Sequence, residues 1–302
     1  MKGIILAGGS GTRLQPLTLV SSKQLAPVYD KPMIYYPLSI LMFAGIRDVL
    51  IITRPGELAA FRQLLGDGGA LGLSLSYAAQ DEPRGIADAF LVGADHIAGE
   101  ECALVLGDNL FHGADLPSLL RRSVRRLDGC VLFGHQVADP ERYGVAEIDQ
   151  EGRLVSIEEK PEKPRSNLAV PGLYFFDGHV VDIAGGVRPS DRGELEITDV
   201  LRAYLAQGRA RLVWLGRGVT WLDTGTHETL LEAGEFVRHV QRHQGMRIAC
   251  LEEIALHMGF IGVEECYELG AAMGHSPYGQ YVMDRARSYL PERALAKLLE
   301  EA

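Results

Sequence analysis

Short apolar runs recur through the first half of the chain, separated by stretches of helical spacing. Ile4, Ile5, Leu6 and Ala7 show no polar alternation, as expected of a strand covered on both faces. Residues 48–53, 73–79, 102–106 and 131–137 read as further strands. Residues 31–45 read as a helix opened by Pro32 and closed by Gly45, with others over 56–65, up to about residue 96, and over 116–127. The last carries Arg121, Arg122, Arg125 and Arg126 on a solvated face. Alternating strand and helix predict a parallel sheet with helices on both faces.

The regular winding then breaks. Alternation on either side of the turn Gln150-Glu151-Gly152 predicts an antiparallel hairpin through residues 140–149 and 154–161. Residues 167–176 read as one strand, 179–184 as a helix, and Thr198 or Asp199 as the cap of a helix running to Gln207. A strand over 211–215 precedes a helix that Thr226 caps and that runs to about His243. Beyond it, 248–256, 259–269 and 285–299 read as mainly helical, and 274–281 as an exposed loop.

Where the first strand ends, Gly8-Gly9-Ser10-Gly11-Thr12-Arg13 follows. Glycines there permit close ligand approach, so successive N–H groups can face an anion, and Arg13 adds charge. Three familiar motifs do not fit. The P-loop needs Gly-Lys-Ser/Thr where Gly11-Thr12-Arg13 stands; the dinucleotide fingerprint needs glycine at Leu14; the nucleophile elbow needs glycine at Thr12. A plain tight turn is the alternative.

Composition narrows the partners. The formal charge is 30 − 40, or −10, against a general nucleic-acid surface, so phosphate binding is a local matter. No stretch approaches a membrane span and the first apolar run is too short for a signal-peptide core, so a cytoplasmic protein is expected. Cys102, Cys130, Cys250 and Cys266 lack CxxC spacing and read as buried reduced thiols.

The run from Gly8 to Thr18 (GGSGTRLQPLT), with Ser22-Lys23-Gln24-Leu25-Ala26-Pro27-Val28, resembles the signature of the sugar-phosphate nucleotidylyltransferases. The resemblance continues at Gly107-Asp108-Asn109, Arg142-Tyr143-Gly144-Val145, Glu158-Glu159-Lys160-Pro161, residues 192–199 (RGELEITD) and Trp221-Leu222-Asp223-Thr224-Gly225-Thr226. It spans Gly3 to about Tyr281. It implies an α/β fold: a Rossmann-like nucleotidyltransferase core with a mixed, mostly parallel sheet, a sugar-binding insertion and a helical C-terminal subdomain. The implied division is a core over 1–243, with sugar-binding segments at about 138–222, and a C-terminal subdomain over 244–302 that serves oligomer or effector contacts.

The implied reaction is Mg²⁺-dependent attack by glucose 1-phosphate on the α-phosphorus of dTTP, giving dTDP-glucose and pyrophosphate. The resemblance assigns catalysis to Arg13, Lys23 and Lys160, and the nucleotide to Leu6, Gly8, Gly9, Gly11, Thr12, Gln80, Gly85, Ile86 and Asp108. It assigns the sugar phosphate to Tyr143, Gly144, Glu159, Lys160, Val170, Tyr174 and Glu196, and the metal to Asp108 and Asp223. A homo-oligomer, a tetramer by resemblance, is implied, with no nucleic-acid or membrane partner. A uridylyl- or cytidylyltransferase of the same fold, or a noncatalytic sugar-nucleotide sensor, is the competing reading.

Residue by residue, plainer roles stay open. Lys23 can be a solvated loop lysine, Gln80 a polar strand end, Asp108 part of a turn, residues 158–161 a charged surface strand, and Tyr174 core. Asp223 can simply fix the turn before the capped helix. Gln80 offers an acceptor and a donor that match N3–H and O4 of thymine or uracil, yet its amide can rotate to suit cytosine. Asp88 places a charge where the family commonly has an amide.

Overall fold

The structure is a computed structural model and describes residues 1–9 and 11–289. The first half is β1 (Lys2–Leu6), β2 (Pro27–Val28), β3 (Lys31–Pro32), α1 (Tyr35–Phe43), β4 (Asp48–Thr53), α2 (Leu58–Leu65), β5 (Ser74–Ala79), α3 (Asp88–Val92), α4 (Ala94–Ile97), β6 (Cys102–Leu106), β7 (Asn109–His112) and α5 (Leu116–Arg125). There follow β8 (Cys130–Gln136), β9 (Gly144–Ile148), β10 (Leu154–Glu159), β11 (Leu168–Val170), β12 (Leu173–Phe176), α6 (Val180–Gly185), α7 (Ile197–Ala206), β13 (Ala210–Trp214) and β14 (Thr220–Asp223). Helices close the chain: α8 (His227–Gln244), α9 (Leu251–His257), α10 (Val263–Ala272) and α11 (Pro277–Ser288).

A ten-stranded mixed sheet is the frame. β5, β4, β1 and β6 lie side by side in parallel, and β13 runs parallel to β8. β12 is antiparallel to both β6 and β8, β11 to β8 and β9, and β10 to β9. Neighbouring residues of one strand face opposite sides, which is why Ile5, Val105 and Phe175 enter one core while Ile4, Leu104 and Phe176 enter the other. α1 has no polar face, since every residue from Tyr36 to Met42 is buried. α9 packs against it.

The structure departs from the sequence reading at α1, α7 and α11. The helix expected from residue 31 begins at Tyr35, because Lys31–Pro32 pairs with Pro27–Val28 as a small hairpin. Glu196, rather than Thr198 or Asp199, precedes α7. Residues 277–281 form not a loop but the first turns of α11, capped by Ser276, whose Oγ accepts from the Gly279 N–H. The helix expected over 285–299 is continuous with α11 up to Ser288, and residues 290–299 lie outside the described residues.

The strand expected over 167–176 is broken at Pro171–Gly172, and that break opens the cleft. Four residues separate Ala169 from Tyr174, but only two separate their partners His135 and Leu132. At the break the chain leaves β9 and takes β6 as its new neighbour. A methyl on Gly172 would stand 2.4 Å from Leu106, so only glycine fits the close approach. Space is left just past the end of β6, where Gly107 and Asp108 leave the sheet.

Candidate active site

Because β1 and β6 are parallel neighbours, their carboxyl ends deliver the glycine loop and Asp108 to the same edge, where open α/β sheets bind ligands. The Gly107 N–H donates to the Leu6 carbonyl at 2.9 Å, joining the two exits. Gly11 takes φ +59°, and its carbonyl accepts from Thr18 Oγ1 at 2.8 Å, which turns the loop back on itself. Gly9 has open space around it, and Thr12 and Arg13 are exposed. Lys23 is not a solvated loop lysine: it is 6% exposed, and its Nζ lies 2.6 Å from Asp108 Oδ2.

The second carboxylate arrives through β14. This strand pairs antiparallel with β7 and sets Asp223 opposite Asn109, one residue from Asp108. Thr224 locks the junction, donating from Oγ1 to the Asp108 carbonyl at 2.8 Å. Burial and then the charge of Asp108 push the Asp223 carboxyl above the usual carboxylate range, against the pull of Lys23, Arg13 and Arg142. Asp108 goes the other way: burial would raise it, but the ion pair and hydrogen bond from Lys23, with one from Asn109, hold it below that range. Among the described residues no three His, Cys, Asp or Glu side chains are gathered for a metal. A partly buried carboxylate raised by a second one, which Lys23 already pairs, is a crowded negative site, and two carboxylates suit a cation that completes its shell with phosphate oxygens.

Arg13, Ile86, Asp108, Tyr143, Gly144, Glu159, Lys160, Val170, Tyr174 and Asp223 line one cavity of about 480 Å³. Tyr143 packs edge-on to Trp221, with ring centroids 4.9 Å apart, and Asn109 Oδ1 accepts from both Trp221 Nε1 and the Gly172 N–H. These contacts set the cavity floor. Burial raises the Glu159 carboxyl, opposed by Lys160 and Arg192. Lys160 takes φ +41° and is half exposed, its Nζ 3.7 Å from Glu159. Glu196 stands apart from this cavity in an adjoining one, where Ser190 and Arg192 hold its Oε1.

On the far side of the glycine loop, Gln80 is buried beside Gly8, and its Nε2 donates to Asp88 at 2.7 Å. Gly85, at φ +109°, is required by a neighbour: a methyl there would stand 2.4 Å from the Leu195 carbonyl oxygen.

This layout, a glycine loop with paired cations and carboxylates at the carboxyl edge of a parallel sheet, coincides with a match of residues 2–240 to the family model described as Nucleotidyl transferase. The chain belongs to the nucleotidyl transferase family. It is 56% identical over 286 residues to a glucose-1-phosphate thymidylyltransferase of Xanthomonas campestris pv. campestris, spanning 95% of this chain and 97% of that protein. It is 52% identical over 284 residues to one of Mycobacterium tuberculosis, spanning 94% and 98%. Among solved structures, a Bacillus anthracis protein in complex with a sucrose superposes with a TM-score of 0.72 at 39% identity, over 79% of this chain and 95% of that one. A UDP-glucose pyrophosphorylase complexed with UDP-glucose gives 0.69 at 28% identity, over 79% and 98%.

Within this nucleotidyl transferase site, three side chains had no place in the sequence reading although each lies inside a motif already quoted. Arg142 Nη2 is 3.8 Å from Asp223 Oδ2. Arg192 Nη2 lies 2.8 Å from Glu196 and 3.6 Å from Glu159. Asn109 of β7 ties Trp221 of β14 to Gly172 by accepting from both. Sequence spacing signals a motif but not which member faces the cleft.

Proposed function

We propose that the chain transfers a thymidylyl group from dTTP to glucose 1-phosphate, giving dTDP-glucose and pyrophosphate. The observation that carries this reading is the convergence of Asp108, Asp223 and Lys23 beside the glycine loop, in a chain 56% identical to a relative bearing that activity's name. A phosphate monoester is already largely ionised near pH 7, with a second pKa of about 6, so it needs little acid or base help to act as nucleophile. The difficulty is to bring two anions together. Arg13 and Lys23 flank the triphosphate side, and Lys160 meets the sugar phosphate, so their charges offset repulsion and the charge developing on the leaving pyrophosphate. Gly144, Glu159, Val170 and Tyr174 seat the sugar, and Glu196 backs it through Arg192. Asp108 and Asp223 would hold Mg²⁺, which when bound supplies positive charge to the transferring phosphoryl group.

We further propose the division at residue 243, with the helical C-terminal part as an oligomer and effector region of a cytoplasmic homo-oligomer. A cavity of about 620 Å³ supports it, with Phe111 and His112 of the core facing Met246, Ile254 and Arg285. An active monomer unaffected by dTDP-rhamnose overturns this part. For the reaction, pyrophosphate release is measured across a matrix of nucleoside triphosphates and sugar 1-phosphates. Release with dTTP and glucose 1-phosphate is expected; nucleotide binding with no release for any pair would favour the sensor reading.

A further inference from the structure

We infer that Asp88 is a specificity-determining residue, which fixes the direction of the Gln80 amide so that the base site admits an N3–H, O4 edge and refuses that of cytosine. This rests on the proposed nucleotidyl transfer and deepens it at the base. Asp88 is fully buried and Gln80 is 6% exposed. Gln80 Nε2 donates to Asp88 Oδ2 at 2.7 Å, and Arg84 Nη2 occupies Oδ1 at 2.8 Å. Gln80 Oε1 faces the other way, 3.3 Å from where a methyl on Gly8 would stand.

A carboxylate only accepts, so it holds the amide nitrogen and turns the carbonyl oxygen toward the glycine loop. Reversing the amide would set two oxygens against each other inside the protein and lose a charge-assisted hydrogen bond. In the fixed direction Oε1 accepts from N3–H, and the second Nε2 hydrogen is free for O4. Cytosine presents an unprotonated N3 to Oε1 and an amino group to the N–H, so both contacts oppose. An amide at position 88 can itself turn and places no such constraint on Gln80. The charge at Asp88 therefore sharpens base choice.

Pyrophosphate release with glucose 1-phosphate is measured for dTTP, UTP and dCTP, with binding of dTMP and dCMP followed by calorimetry. The wild-type chain should use dTTP and UTP well and dCTP poorly; equal use of dTTP and dCTP overturns the inference without any variant. In Asp88→Asn the kcat/KM ratio of dTTP to dCTP should fall roughly 10- to 100-fold, the scale of one hydrogen bond to a charged group. The dTTP to UTP ratio should not move, since both bases present the same edge. A purely packing role would lower all three alike and leave both ratios intact, which would also overturn it. Asp88→Gln supplies a second amide if the Asn variant does not fold. A chain that turns over nothing yet prefers dTMP to dCMP would sink the reaction and keep the role of Asp88, whereas equal binding of the two would sink that role.

Discussion

Replacing Asp223 by Asn removes one charge from the carboxylate pair while keeping its shape, and the structure makes its two consequences separable. Among the described residues no side chain or backbone group donates a hydrogen bond to the Asp223 carboxylate, and its ion contact is the half-exposed Arg142 at 3.8 Å. Such a pair is worth about 0–1 kcal/mol, and the substitution also relieves burial of a charge beside Asp108. The melting temperature should therefore shift by roughly 2 °C or less, in either direction. Turnover should behave differently. Loss of one preorganised electrostatic group typically costs about 10²- to 10³-fold, roughly 3 to 4 kcal/mol of transition-state stabilisation. Asp108→Asn should match it in turnover but also destabilise, because Lys23 would be left buried without its carboxylate. The double variant should cost much less turnover than the product of the two, since groups serving one centre are non-additive. Pyrophosphate release is followed against Mg²⁺ concentration for the three variants, beside their melting curves. Full turnover in folded Asp223→Asn, or additive losses in the double variant, would refute the shared-centre argument.

Two further outcomes are expected. Gly85→Ala should destabilise by more than about 1 kcal/mol, because φ +109° disfavours a side chain and the methyl meets Leu195; an unchanged melting temperature would remove the packing reason for that glycine. Burial lowers the pKa of His96, His112 and His135 below the usual 6.5, so the folded form binds fewer protons than the unfolded one in acid. The stability they allow is complete above that value and is lost as pH falls through it, by up to about 1.4 kcal/mol per pH unit for each histidine. His96→Gln should reduce the slope of urea stability between about pH 7 and pH 5, and an unaltered slope would show that another group carries it.

Much of the frame was legible because its signals are local. Residues 48–53 form a strand with those bounds because DVLIIT is β-branched and apolar on both faces. Thr226 caps α8 as read, exchanging hydrogen bonds with Thr229. The four cysteines are buried and free. The small hairpin of β2 and β3 went unread because two-residue strands bearing prolines leave no periodic trace, and β7 because Asp108-Asn109 resembles a turn. Ser276-Pro277 did hold a cap signal for α11, but Gly279 and the tyrosines around it masked the helical pattern.

Backbone preference and period act over a few residues, so most of the longer strands and helices, the glycine loop and the types of charge at each motif were legible without the fold, whereas β2, β3 and β7 were not. Only tertiary structure decided that Asp223 meets Asp108, that Lys23 is buried as its partner, that Pro171–Gly172 parts the sheet into a cleft, and that Asp88 takes the Gln80 nitrogen. The pairings at Asp108 join groups whose separation in sequence exceeds any local period, 85 residues in the case of Lys23, and burial then gives such meetings their energy: away from water, a charge or an amide must settle on whichever partner the packing supplies.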